Sequence, residues 1–325
     1  MTNLTKTRKY IVDTFLGCLK EDIIPFQKGW KNTGNFNAAS GYHYHGINGF
    51  ILKLVSDIEG YEDPRWMTFN QIKKCGCRLS NAKGKGIPVE FWSLYDTERK
   101  CKISQQEADE ICNENPNNSN RIIPISRCYI VFNASLVEGI KPYEKGQIKD
   151  HVFADAVLNS YLENEHINLI HRGDNAYYEV NADRIVLPHI ISFRDEVTYL
   201  DTLAHEIAHS TGAKERLNRN LEGHKGSSEY AIEELRAEIA SAYINPLLGI
   251  PITSYNVNRH KAYIQNWIQI VEGNPQILFK AIMDAEKISE FVLERSGYDI
   301  SLINDPSFDL NSDEHEEQSD EYELD

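Results

Sequence analysis

Tyr199-Leu200-Asp201-Thr202-Leu203-Ala204-His205-Glu206-Ile207-Ala208-His209-Ser210-Thr211-Gly212 is the stretch that decides how this chain is read. Val197, Leu200, Leu203, Ala204, Ile207 and Ala208 recur at the three-and-four spacing of one buried helical face. His205 and His209 are four residues apart, so both imidazoles leave the same side of that helix, one turn apart. Two nitrogens so placed can reach one Zn2+ at ~2.0–2.1 Å. Glu206 then carries a carboxylate beside the open metal position, where a water must lose a proton. Gly212 is expected to cap the helix C-terminus.

The third ligand has to come from downstream. An H-E-x-x-H-x-x-G-x-x-H site would need histidine at position 215, which is Glu215. His224 lies in the loop-like stretch Gly223-His224-Lys225-Gly226-Ser227-Ser228. The stretch Glu229 to Ala240 reads as a second helix, with Ala231, Leu235, Ile239 and Ala242 facing the first. Glu234 and Glu238 stand one turn apart beside that face, which suits one carboxylate on the metal and one orienting a ligand histidine. Glu234 is the expected ligand and Glu238 its supporting carboxylate, a gluzincin-like set with one Zn2+ per chain. Glu238, Glu215 and His224 remain alternatives for the third place. Glu233 is expected on the solvated face, and Tyr230 and Arg216 are expected in packing and in a surface pair.

The surrounding residues carry a resemblance. Ala176-Tyr177-Tyr178, Asp183-Arg184-Ile185-Val186-Leu187-Pro188, Phe193, the His205–Gly212 run, Arg216-Leu217-Asn218-Arg219 and Tyr230 through Ile239 resemble antirestriction proteins of the ArdC type. In the first half, Pro25-Phe26-Gln27-Lys28-Gly29-Trp30, Gly46-Ile47-Asn48, Asp63 to Thr68, Gln71, Lys83-Gly84-Lys85-Gly86 and Val131-Phe132-Asn133 follow the order of that family's N-terminal domain. The resemblance implies an α+β chain of two domains: an N-terminal single-stranded-DNA-binding domain and a C-terminal zincin-like metallopeptidase domain with a small sheet beside the H-E-x-x-H helix. It implies a function in protecting incoming plasmid DNA from restriction.

Composition fits two partners. The 325 residues carry a net charge of −15. Residues 1–130 hold 18 Lys+Arg against 14 Asp+Glu, whereas the rest of the chain holds 16 against 35. Only the first half can favour a phosphate backbone. Single strands are held by bases stacking on aromatics, at roughly 1–3 kcal/mol per base, with cations following the backbone. Trp30, Tyr42, Tyr44 and Trp66 are candidate platforms, and Lys28, Arg65, Lys73, Lys74, Arg78, Lys83 and Lys85 are candidate phosphate partners.

The expected division is 1–135 for the DNA-binding domain, 136–150 for a linker, 151–303 for the zincin-like domain and 304–325 for an acidic disordered tail. Glu98 to Asn120 reads as a polar loop or hairpin insertion. No apolar run approaches the ~18 residues of a membrane span. All six cysteines fall in the first 128 residues without a C-x-x-C pair, which reads as reduced thiols in a cytoplasmic protein. Two functions suit these features. One is a peptidase brought by single-stranded DNA to a protein target the sequence does not identify. The other is a non-catalytic DNA-binding antirestriction protein whose zinc site is structural.

Overall fold

Thr5 starts the first helix, α1 (Lys6–Lys20), its hydroxyl accepting the Arg8 N–H at 3.2 Å. The computed structural model describes residues 4–21, 23, 34–143, 152–224, 226–251 and 257–298. Lys28, Trp30 and the acidic tail fall outside them.

In the first half, α1 is followed by β1 (Phe36–Asn37), α2 (Gly46–Glu59), β2 (Arg65–Thr68), α3 (Phe69–Lys74), β3 (Arg78–Leu79), β4 (Ile87–Asp96), β5 (Cys101–Ile103), α4 (Gln105–Glu114), β6 (Ile122–Asn133) and β7 (Val137–Glu138). A five-stranded sheet has the order β1-β2-β6-β4-β5, and β3 pairs with β7. Its spine is the antiparallel pairing of β4 with β6, in register from Ile87↔Val131 to Asp96↔Ile122. The basic glycine turn does feed a strand, and Thr68 caps α3 through a capping box with Gln71.

Glu98 to Asn120 is more ordered than expected. Ser104 and Glu107 form a second capping box that starts α4, and Ala108 and Ile111 bury its apolar side. The polar composition of this helix reflects its largely exposed surface.

The second half comprises α5 (Val152–Asn164), β8 (Asn168–His171), β9 (Tyr177–Glu179), β10 (Arg184–Leu187), α6 (Glu196–Ser210), α7 (Ser228–Leu247), α8 (Val257–Gly273) and α9 (Gln276–Arg295). A three-stranded sheet has the order β8-β10-β9, parallel between β8 and β10 and antiparallel between β10 and β9. β9 is therefore an edge strand. Helix α6 ends at Thr211 rather than at a glycine cap. A Cβ at Gly212 would lie 2.7 Å from Leu221 Cδ2, so any other residue there would require the Leu221 side chain to shift.

One buried apolar cluster runs from Ile11 and Phe15 through Trp66 and Val89 to Leu203, Ile239 and Ile282. Contacts between the halves include α1 against α8 and α2 against α9. There the Gly46 N–H donates to Glu286 Oε1 at 2.7 Å, and the Arg8 guanidinium lies 5.1 Å from the centre of the Phe279 ring. No helix among the described residues is long and apolar enough to cross a membrane.

Candidate metal centre

Helix α6 is fixed at its start and along its buried face. Asp195 accepts the Thr198 N–H at 2.8 Å and the Thr198 hydroxyl at 2.6 Å. Leu200, Leu203, Ala204, Ile207 and Ala208 have no exposed surface. On this rigid frame the Nε2 atoms of His205 and His209 stand 3.1 Å apart. Helix α7 begins at its Ser227 cap and packs against α6. Its buried Ala231, Leu235, Ile239 and Ala242 carry the face expected from the sequence. Glu234 Oε1 lies 3.5 Å from His209 Nε2, and Glu234 Oε2 lies 3.8 Å from His205 Nε2.

His205, His209 and Glu234 form the one group of three metal-type donors among the described residues, with their donor atoms all within 4.8 Å. Glu215 and His224 are exposed and outside this group.

Both imidazoles are held from behind. Glu238 Oε1 lies 3.1 Å from His205 Nδ1, and Glu233 Oε1 lies 3.4 Å from His209 Nδ1. A carboxylate at Nδ1 favours the tautomer protonated there, which leaves the Nε2 lone pair facing the site. Two such lone pairs 3.1 Å apart repel unless a proton or a metal ion lies between them. Two imidazoles and a carboxylate arranged this way suit a divalent cation.

Glu233 is not the solvated residue expected from its position. It is buried, with Arg219 at 2.7 Å and Arg236 at 3.4 Å. Arg219 also donates to Thr211 Oγ1 at 2.6 Å and to the Ala208 carbonyl at 2.8 Å, fastening the end of α6. Arg236 reaches Asp284 on α9 at 2.7 Å. Burial pushes the Glu233 carboxyl up, but His209 and Arg219 overcome it and hold it down at about 2. Burial likewise opposes protonation of His209, yet the Glu233 and Glu234 carboxylates raise its pKa well above the usual imidazole value. The sequence offered one signal for this arrangement, the three-residue spacing of Glu233 and Arg236. Arg219 approaches from a loop that helical periodicity does not place.

These donors line a cavity of about 460 Å³ that also receives Glu206, Tyr230, Tyr263 and the β9 residues Tyr177 and Tyr178. Glu206 is 4% exposed. Tyr230 is more than a packing residue, since its hydroxyl interacts with Tyr263 and Glu234. Arg216 stays away from the cavity lining. Its side chain is only 4% exposed and binds the largely buried Glu165 at 3.1 Å and the half-exposed Asp183 at 2.6 Å, so the expected surface pair is anchored by a guanidinium that is itself buried.

The expected nucleic-acid residues divide three ways. Trp66 and Tyr44 are not stacking platforms: Trp66 is fully buried with its indole N–H on Asn35 Oδ1 at 2.9 Å, and Tyr44 is buried with its hydroxyl accepting from Asn37 Nδ2 at 3.2 Å. Each aromatic fills the core and spends its polar tip on an internal partner. Tyr42 is half-buried against Tyr44 and Phe91. Arg65, Arg78 and Lys85 pair with Asp63, Glu138 and Glu59 respectively, while Lys73, Lys74 and Lys83 are exposed.

Residues 5–132 match the N-terminal domain of anti-restriction factor ArdC, and residues 156–284 match a zincin-like metallopeptidase domain. The chain is 32% and 31% identical to two DNA primase TraC proteins of Escherichia coli, over 87% of its own length in each case. It spans only 26% and 19% of those proteins. An uncharacterized protein y4eC of Sinorhizobium fredii is 27% identical over 87% of this chain and 90% of its own length. Crystal structures of the antirestriction ArdC protein from the R388 plasmid, metal-free and Mn(II)-bound, are 25% and 26% identical to it. Both superpose with a TM-score of 0.68 over 90% of this chain and 98% of theirs. An ArdC N-terminal domain joined to a zincin-like domain, in the overall arrangement of R388 ArdC, makes this chain a member of the ArdC-type antirestriction family.

Proposed function

We propose that this chain is a metal-dependent peptidase of antirestriction, with residues 1–135 gathering single-stranded DNA and residues 151–303 cleaving a protein brought to it. The observation that carries the reading is Glu206, whose buried carboxylate lines the same cavity as His205, His209 and Glu234. A purely structural metal site has no use for a base there.

His205, His209 and Glu234 would hold one ion. Two imidazoles and one carboxylate with a fourth position left open are a zinc set. When bound, the cation supplies Lewis acidity towards a peptide carbonyl and an attacking water. Glu206 takes the proton of that water and returns it to the leaving amine. Glu238 and Glu233 keep the two imidazoles aimed at the site. The outer edge of β9 pairs with no other strand among the described residues, so an extended substrate can hydrogen-bond along it as an added strand.

DNA would follow the exposed Lys73, Lys74 and Lys83 of the first half, the half with the net excess of basic residues. Six free thiols suit the reducing cytoplasm.

The decisive test compares the unsubstituted chain with E206Q for bound zinc and for cleavage of candidate proteins, with and without single-stranded DNA. We expect cleavage to need the metal, to rise with DNA and to fall at least 100-fold in a variant that still holds zinc. Equal cleavage or equal antirestriction by both proteins would leave the cavity as a scaffold.

A further inference from the structure

The cavity that holds the three donors is lined by six carboxylates, Asp201, Glu206, Glu229, Glu233, Glu234 and Glu238, and among the described residues by no lysine or arginine. A divalent cation offsets two of those charges. The two arginines at Glu233 approach that carboxylate without lining the cavity. Asp201 lies four residues before His205 on the buried side of α6, and Glu229 lies between His209 and Glu234 in sequence, exposed in the first turn of α7. Asp201 Oδ1 accepts from Asn245 Nδ2 at 2.6 Å, which fixes the orientation of the carboxylate at the cavity wall. The donors and the open edge of β9 make this cavity a site; the carboxylates decide which substrates it selects.

We propose that the site is specific for polypeptide segments with lysine or arginine beside the bond to be cut, and that Asp201 and Glu229 set this preference. The inference rests on the peptidase reading given above. Cavity walls of one sign concentrate ligands of the other sign and reject those of the same sign. A lysine or arginine stem also suits the aromatic flank of Tyr177 and Tyr178, which covers methylenes while the charged end reaches a carboxylate.

Binding tests this separately from catalysis. The full-length E206Q protein, loaded with zinc, is titrated with fluorescent ten-residue peptides whose central residues are Lys, Ala or Glu. All are N-acetylated, so no free α-amino group competes for the cavity. The Lys peptide should bind about tenfold more tightly than the Glu peptide at low salt, with Ala between them, and 0.5 M salt should shrink that gap. Adding E229Q, a change at an exposed position, should reduce the Lys-over-Ala ratio about two- to threefold. D201N should reduce it further. Equal binding of all three peptides, or a preference for Glu, overturns the inference while leaving the peptidase reading intact. If no peptide binds above a metal-free control, both fall.

Discussion

Glu233 joins His209, a proposed metal ligand, to two arginines, and its loss should be felt in metal binding and in the fold alike. E233Q keeps the volume but removes the charge that orients His209 and neutralises Arg219 and Arg236. Removing the support behind a ligand histidine typically costs 10–100-fold in metal affinity. Leaving a buried cation without its partner costs about 3 kcal/mol. Zinc titration and urea unfolding of the metal-free protein measure the two effects, and an unchanged zinc affinity would remove Glu233 from the centre. E238Q should weaken zinc in the same way through His205. His205, Glu206 and His209 were legible because one helix fixes their spacing. Glu234 and Glu238 followed from a second amphipathic helix. Glu233 was not legible, because its burial depends on Arg219, fourteen residues earlier in a loop.

Helix α6 carries the site, so the cap that starts it is the element most open to test. Asp195 accepts from Thr198, and D195A should cost about 1 kcal/mol of stability, read from urea midpoints at neutral pH. The Thr198 hydroxyl and N–H, then Arg194, hold the Asp195 carboxyl down at about 2, against 3.8 when unperturbed. The group therefore favours folding above about pH 4, and that contribution disappears as pH falls through 2. D195N should retain part of the cap while flattening the loss of stability on acidification over that range. A parallel acid response in D195N and the unsubstituted chain would refute this assignment. In the first half, W66A should destabilise by about 3–5 kcal/mol, as expected of a buried aromatic. Among molecules still folded, DNA affinity should be nearly unchanged; a selective loss of DNA binding would return Trp66 to the interface. Sequence periodicity found the long apolar helices and the strands flanking them. It missed α4, where a capping box and two buried residues organise an otherwise charged segment. It also could not tell a buried aromatic from an exposed one, since both satisfy the same pattern of residue types.

On the scale of the whole molecule, the main buried apolar cluster among the described residues is shared by the two halves, with two small satellite clusters in the first. Calorimetry should accordingly show a single cooperative transition, and zinc should raise its midpoint as any ligand of the native state does. Two resolved transitions, with zinc moving only one, would mean the halves unfold independently. The junction has a further consequence for how the protein can be taken apart. Separately made, residues 1–143 would lose the α8 and α9 surfaces against which α1 and α2 pack, and residues 152–298 would lose the reverse. Each fragment would expose apolar area that water disfavours, so each alone should be prone to aggregate. Mixed during refolding, the complementary fragments should find one another and rebuild a noncovalent heterodimer, with the contacts of α2 on α9 acting in trans.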